Sequence, residues 1–400
     1  QFANRGFTLH TGNKNIKPVC GYRMQMEVTM NSLIHIGIDV HKDTYSLCSY
    51  SFQTNQAFGQ TKIGSDNKLV IKYVEKLLKS HPEAEVLCGY EAGPTGFGLY
   101  RDLCKANIPC VVMAPTSLPR AVGNRVKTDR LDALEMAKHL AYGTYSAVRV
   151  PTSEDEAVKD FTRLRNTRQQ ALKKAKQNLL SFLLRRQRRY TEGSSYWTLT
   201  HHRWLKQQQF TDPLDQETYN EYLQELYDQE EKVERYDARI EELSRLDAYR
   251  ERVEKLRCFK GIDTHTALSL VCEIGDFSRF ATAAQFSAYL GLVPREDSSG
   301  QRERRGGITK GGNTRLRTLL TEGANAATRG SLYGTKSKKL KARQAGNPAQ
   351  VIAYADRAQR RLHRTYNKLV LNSVPRNKAI VAVARELSCF IWGMMNDRID

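Results

Sequence analysis

The sequence predicts an α/β unit followed by a predominantly α-helical chain, and three features carry that expectation. The first is LIHIGIDVHK, Leu33 to Lys42. An apolar run with Gly37 leads into Asp39, which reads as a buried strand delivering a carboxylate at its C-terminal end. The second is the order of periodicities that follows: two more strand-like segments, then helix, strand, helix, strand, helix. The third is a seven-residue apolar repeat in the second half of the chain, which only a helix places on one face.

At 400 residues the chain exceeds one ordinary core, so two or three domains are expected. A formal charge of +20 and a pI near 9.6 point to a polyanionic partner, nucleic acid by default. The charge is uneven: residues 258–400 carry +13 of it, while 33–142 are nearly neutral. No window of about 20 apolar residues lacks charge, so no membrane partner is expected. The most apolar stretch, Ala379 to Met395, contains Arg385 and Glu386. Eight cysteines include no CxxC pair and no zinc-finger spacing, which predicts reduced core thiols in a cytoplasmic protein. Residues 1–32 show no periodicity and read as an extension outside the folded unit.

Each element has its own signal. Thr44 to Ser51 and Ala57 to Ile63 read as strands joined by the turn Gln53-Thr54-Asn55-Gln56, a short link that implies an antiparallel meander. Asp66 can cap a helix to Ser80 with Leu69, Val70, Tyr73, Val74 and Leu77 on one face. Glu85 to Tyr90 is a buried strand running into Glu91. Gly93-Pro94-Thr95-Gly96 turns into a helix to Ala106, Ile108 to Met113 is a fifth strand, and Asp129 to Tyr142 is a helix.

That element order is the one found in ribonuclease-H/RuvC-like nuclease domains. It would set Asp39 and Glu91 side by side at the ends of neighbouring parallel strands. Asp129 and Asp132, at i and i+3, share one helix face and could close the cluster. Carboxylates brought together repel unless cations sit among them, and an all-oxygen set favours Mg²⁺ or Mn²⁺. The competing reading makes Asp129 and Asp132 a solvated face paired with Lys127 and Arg130.

From Val158 to Arg189 the chain reads as a basic helix. Residues 149–206 hold 14 basic against 5 acidic side chains. Arg163, Arg165, Arg168, Lys173, Lys174, Lys176 and the run Arg185-Arg186-Gln187-Arg188-Arg189 are candidate phosphate contacts. Residues 190–215, with Trp197, His201, His202 and Trp204, read as an irregular insert, the histidines as packing rather than metal ligands. Tyr219, Leu226, Val233 and Ile240 recur every seven residues, with Tyr222, Gln229, Tyr236 and Leu243 three positions later. This seam predicts a central helical coiled coil. It could pair within the chain, but a seam this long more often joins two copies, so a homo-oligomer, dimer or tetramer, is expected.

The C-terminal segment opens with two helices around Lys260-Gly261-Ile262, similar to a helix-hairpin-helix element whose backbone grips phosphates. Next comes GLVPREDSSGQRERRGGITKGGNTRLR, Gly291 to Arg317, with seven basic residues. Arg302, Arg304, Arg305, Lys310, Arg315 and Arg317 join Lys127, Lys260 and Gly261 as candidate nucleic-acid contacts. Ser298 and Ser299 among them could include a nucleophile. A plain RNA- or DNA-binding loop is the other reading.

Taken together, IGIDVHK, YEAGPTG, KTDRLDA, YLGLVP…SSG…GGITKGGNTRLR and NKAIVAVARELSCFIWGMM resemble the DEDD transposases of the insertion-sequence one-ten family. The resemblance runs from about residue 33 to 396. It implies a RuvC-like nuclease domain at 33–146, a basic helix, insert and coiled coil at 147–257, and a C-terminal transposase domain at 258–400. It places the DEDD set on Asp39, Glu91, Asp129 and Asp132. The family serine falls on Ser299, with Ser298 one position away. It further implies DNA strand cleavage and rejoining through a transient phosphoserine, a structured noncoding bridge RNA that pairs with target and donor DNA, and a bacterial, nucleoid-associated location. The alternative is a metal-only, structure-selective RuvC-like endonuclease with no covalent intermediate. Residues 1–32 and 190–215 have no assigned role.

Overall fold

The computed structural model describes residues 32–115, 129–296, 305–330 and 334–399. It divides into two compact units, Gln1–Val150 and Pro151–Asp400, and its fold is mixed α/β with a preponderance of helix.

The first unit holds β1 (Leu33–Val40), β2 (Thr44–Ser51), β3 (Gln56–Gly64), α1 (Asn67–Ser80), β4 (Glu85–Glu91), α2 (Gly98–Lys105), β5 (Cys110–Met113) and α3 (Asp129–Tyr142). The sheet order is β3-β2-β1-β4-β5. β1 runs antiparallel to β2 and parallel to β4, β2 antiparallel to β3, and β4 parallel to β5. β1 is the middle strand and is buried along six consecutive residues, which requires cover on both faces.

The even-numbered face supplies Ile34, Ile36 and Ile38 to a core with Val70, Val74 and Leu77 of α1 and Leu99 and Leu103 of α2. The Asp66 side chain accepts the Lys68 N–H and fixes the start of α1. The odd-numbered face lies under α3. A Cβ added at Gly37 would sit 2.0 Å from the Ala133 carbonyl oxygen and 2.4 Å from the Ala137 nitrogen. Only a residue without a side chain lets a helix lie this close to a central strand. Strand pairing, the central place of β1 and the bounds of α3 follow the sequence expectation. The buried face of α3 is Ala133, Met136, Ala137 and Leu140 rather than the expected Leu131, Leu134, Ala137, His139 and Leu140, Leu131 being exposed.

The second unit contains α4 (Ser153–Arg185), α5 (Leu199–Lys206), α6 (Pro213–Ser244), α7 (Arg250–Arg257), α8 (Thr264–Ile274), α9 (Ala283–Tyr289), β6 (Pro294–Glu296), β7 (Arg305–Ile308), α10 (Thr314–Ala327), α11 (Lys338–Gln344), α12 (Ala349–Leu371) and α13 (Arg376–Met395). α4 starts at the Thr152 cap, with Glu154, Asp155 and Glu156 complementing the helix N-terminus. It ends four residues before the expected Arg189, because Gln187 takes a left-handed φ of 58° and turns the chain. The expected irregular insert contains the helix α5.

The seam on α6 takes the less expected of its two partners, the chain itself. Tyr219, Leu226, Val233 and Ile240 are buried within the chain, and the first three pack with Leu172, Leu179, Phe182 and Leu183 of α4. The ion pairs Arg165–Asp237, Lys176–Glu230 and Arg186–Asp215 show the two helices running antiparallel over their length. The seam expected to join two copies is therefore covered by the chain itself. α4 carries an apolar stripe at three- and four-residue spacing that its many cations hide from a composition reading.

α7 and α8 flank the Gly261 turn, and α8 is buried almost throughout. α13 joins the same core through Ala384, Leu387 and Ile391, and Trp392 Nε1 donates to the Phe280 carbonyl at 3.0 Å. No helix among the described residues is long and apolar enough to cross a membrane. Cys88 and Cys272 have their thiol pKa values pushed up to about 12, chiefly by burial, which leaves them protonated and inert.

Candidate active site and nucleic-acid surfaces

Register places the first two carboxylates. Gly37 pairs with Gly89 and Ile38 with Tyr90, so Asp39 and Glu91 each stand one residue further on. Alternation along parallel neighbours puts both on the face of Gly37 and Gly89, the face α3 crosses. α3 runs against β1. Ala133 lies over Gly37, while Tyr142 reaches Tyr50, the partner of His35 near the start of β1. The N-terminal end of α3 therefore lies toward the carboxyl end of β1, and that end carries Asp129 and Asp132. Asp39 is 8% exposed, Glu91 and Asp132 are half-buried, and the Asp129 side chain lies outside the described residues. His41 Nε2 approaches Asp39 Oδ2 at 3.0 Å, an acid–imidazole contact for which the sequence reading had no role.

Among the described residues no three His, Cys, Asp or Glu side chains close a metal cage. Asp39 and Glu91 stand at the carboxyl ends of β1 and β4, the end toward which the start of α3 and Asp132 lie, and their donors are oxygens, the kind a hard divalent ion takes.

Ser298, Ser299, Arg302, Arg304 and Lys127 lie outside the described residues, as does the side chain of Arg305. The backbone on either side of the serines is described. β6 and β7 pair antiparallel. Two of the glycines beyond them serve packing rather than an open loop. Gly312, at φ +73°, would drive a Cβ to 2.0 Å from the Tyr289 carbonyl, and Gly291, at φ +68°, to 2.0 Å from that of Gly311. Arg317 donates to the carbonyls of Leu290, Gly311 and Gly312 and pins this corner to α10. Gly307 faces open space, and Lys310 and Arg315 are exposed.

Several other candidate phosphate contacts are tied to protein partners. Arg163 donates twice to Glu273, at 2.7 and 2.9 Å, and the pairing raises the guanidinium pKa. Asn313 Nδ2 reaches the same carboxylate at 2.9 Å while its Oδ1 caps α10. Arg186 grips Asp215, whose carboxyl is held below its ordinary range by that bond. Lys260 donates to the Arg329 carbonyl, and burial lowers its pKa. Gly261, at φ +93°, would place a Cβ 2.2 Å from the Gly323 carbonyl, so this turn is seated on α10. The Arg168 Nε is buried without a partner, whereas Lys173 and Arg185 remain exposed on α4. Sequence reading missed α12, where Arg357, Arg360, Arg364 and Lys368 are all exposed at three- and four-residue spacing. That spacing was the available signal.

A five-stranded mixed sheet with a carboxylate at the end of its central strand is compatible with an RNase H-like N-terminal domain, the scaffold of many enzymes that cut nucleic acids. Residues 36–186 match the family model described as DEDD_Tnp_IS110 transposase, and residues 253–339 match that of the Transposase IS116/IS110/IS902 family. The chain is 34% identical over 348 residues to the transposase for insertion sequence element IS1533 of Leptospira borgpetersenii, covering 85% of this chain and 97% of that protein. It is 37% identical over 308 residues to the putative transposase y4qE of Sinorhizobium fredii, covering 77% and 75%. The transposase for IS1111A of Coxiella burnetii is 25% identical over 374 residues. The chain belongs to the IS110 family of DEDD transposases and is a DNA transposase.

Proposed function

We propose that this transposase cuts and rejoins DNA at a divalent-metal site held by Asp39, Glu91, Asp129 and Asp132. A serine, Ser299 or its neighbour Ser298, acts as nucleophile, and a structured RNA encoded by the element selects the DNA sites. The observation that supports the carboxylate site is the register of β1 and β4, which sets Asp39 and Glu91 level on the face crossed by α3; the serine and the RNA rest on the family alone. Bound Mg²⁺ or Mn²⁺ would supply Lewis-acid stabilisation of charge on the phosphodiester.

The chain's own groups do the rest. The four carboxylates, carried on three elements, would hold the divalent ion, and only through it could these anions meet a phosphate. His41 steadies the Asp39 carboxylate from its exposed side. The serine Oγ forms a bond to phosphorus as a bridging P–O bond breaks, and the serine proton passes to a nearby base. The departing strand takes up a proton and leaves as a free hydroxyl, whose counterpart on the joining strand later attacks the phosphoserine and releases the serine. Cations such as Lys310 and Arg315, exposed beyond β7, hold neighbouring phosphates. The domain assignment follows, with nuclease chemistry in the sheet unit and the serine in the helical unit. Base pairing by the RNA supplies specificity, so the protein reads nucleic-acid shape.

The test is a cleavage reaction on element-end DNA with the RNA present, stopped in denaturant. The proposal expects a protein–DNA adduct that disappears in Ser299→Ala or Ser298→Ala, and no cleavage in Asp39→Asn. Cleavage without an adduct, intact in both serine variants, would establish the metal-only endonuclease instead.

A further inference from the structure

We propose that the cleft where the chain turns from α4 toward α5 holds one unpaired base of a nucleic-acid strand. It rests on the reading that this transposase handles opened strands or a folded RNA, and it gives a role to Tyr190, Tyr196 and Trp204, which had none above.

The cleft is a product of how α4 ends. Gln187 is left-handed at φ 58°, and the Arg188 N–H returns to the Leu183 carbonyl at 2.9 Å. The chain doubles back, and the basic run that would have extended the helix is brought beside Tyr190. The resulting cavity has a volume of about 160 Å³ and is lined by Leu184, Arg188, Arg189, Tyr190, Tyr196 and Trp204, with the inner face of α4 behind them. A space of that size suits one planar ring system and no folded element.

Two of its rings are rigid. Tyr190 is buried edge-on against His201, with centroids 4.8 Å apart, and Trp204 stacks on the same imidazole at 5.7 Å. His201 is fully buried in this cluster. The mouth is open: Tyr196 is 46% exposed and Leu184 58%, an apolar surface facing water. Around it the cations divide into two kinds. Arg186 is tied to Asp215, and Arg188 donates to the Gln209 carbonyl. Arg185 and Arg189 are exposed and form no ion pair among the described residues. Aromatic walls, the uncommitted Arg189 guanidinium at the rim and Arg185, the last residue of α4, before it are what a single strand requires, rings for the face of a base and cations for the phosphates on either side. A paired base in a duplex keeps both faces stacked and cannot enter without flipping. An acidic peptide would satisfy the arginines and leave the rings uncovered.

The test uses the full-length protein and fluorescein-labelled oligouridine, oligothymidine and a blunt DNA duplex, with affinities read by anisotropy across a salt series. Tyr196→Ala is expected to weaken single-strand binding about tenfold while the melting temperature holds, and Tyr196→Phe to restore it. Arg189→Ala is expected to lower the salt slope for single strands by about 0.7. A preference for oligouridine identifies RNA as the natural occupant, and equal affinities identify any unpaired strand. Unchanged oligonucleotide binding in both Tyr196→Ala and Arg189→Ala, or an equal loss for single strands and duplex, would overturn the proposal. Failure of the RNA-guided reading is separate: recombination that proceeds without RNA would sink that reading and leave these affinities as they are.

Discussion

The sheet unit and the helical unit place their charged residues by different physics. In the first, Asp39 and Glu91 are positioned by backbone: they sit where two parallel strands end, and hydrogen-bond register holds them level. In the second, arginines on long side chains are positioned by whatever acid lies within reach. Arg163 has Glu273, Arg165 has Asp237 and Arg186 has Asp215. Where backbone sets the position, a motif in the sequence nearly specifies a place in space. Where side chains set it, the same residue type is a phosphate contact or a strut according to its neighbours.

The largest effect that would break this contrast is at Asp39. Asp39→Asn keeps the shape and removes the charge, and strand cleavage is expected to fall by on the order of 10³-fold with folding intact. A cleavage assay on element-end DNA beside a thermal melt checks it. Residual activity within about tenfold of the unaltered protein would mean that strand-end register does not build the site.

Gly37 tests whether α3 is held by the sheet. In Gly37→Ala the new methyl collides with helix backbone, the Ala133 carbonyl oxygen at 2.0 Å, so α3 must move away. A loss of about 3 kcal/mol and a parallel loss of cleavage are expected, read by denaturant unfolding. Gly89→Ala meets only the flexible end of Leu140, at 2.7 Å, and is expected to cost about 1 kcal/mol. Equal effects at the two positions would show that α3 is not packed against β1 as described.

The same contrast explains what could be read in advance. The central place of β1 and the bounds of α3 were legible, the strands because buried strands are apolar runs. The buried face of α3, Ala133, Met136, Ala137 and Leu140, was not, because its apolar residues are only weakly periodic. The end of α4 was not, because Arg186 to Arg189 suit a helix and only the left-handed Gln187 stops it. The partner of the α6 seam was also hidden. Leu172, Leu179 and Phe182 are outnumbered by cations, and an antiparallel return after residues 186–212 leaves no local signal. The anchoring of Arg317 to three carbonyls depends on the corner that Gly291 and Gly312 form, which no spacing announces.

Glu273 sharpens the comparison inside the helical unit. Its side chain is 6% exposed and holds both Arg163 and Asn313, the cap of α10. Glu273→Gln leaves Arg163 without a counter-charge, and about 2 kcal/mol of stability is expected to go, less than for a fully buried pair because Arg163 is 37% exposed. If Arg163 served mainly as a phosphate contact, Glu273→Gln would instead leave stability unchanged and strengthen DNA binding by freeing the guanidinium.

The smallest expected effect falls on three cations of α12 that form no ion pair among the described residues. Arg360, Arg364 and Lys368 lie along one exposed face, spanning about 12 Å at 1.5 Å per residue. Their neighbour Arg361 is bound to Glu386, which gives an internal control on the same helix. Arg364→Ala should leave the melting temperature unchanged, since no described hydrogen bond or ion pair depends on it. The dependence of duplex binding on salt should fall by about one phosphate, a decrease of roughly 0.9 in the slope of log affinity against log salt. Arg361→Ala should alter stability more than slope, because removing it leaves the half-buried Glu386 without its cation. If the two variants shift the slope equally, partner acids do not decide which arginines of the helical unit meet DNA, and the distinction between backbone-placed and partner-placed charge fails where it was expected to be sharpest.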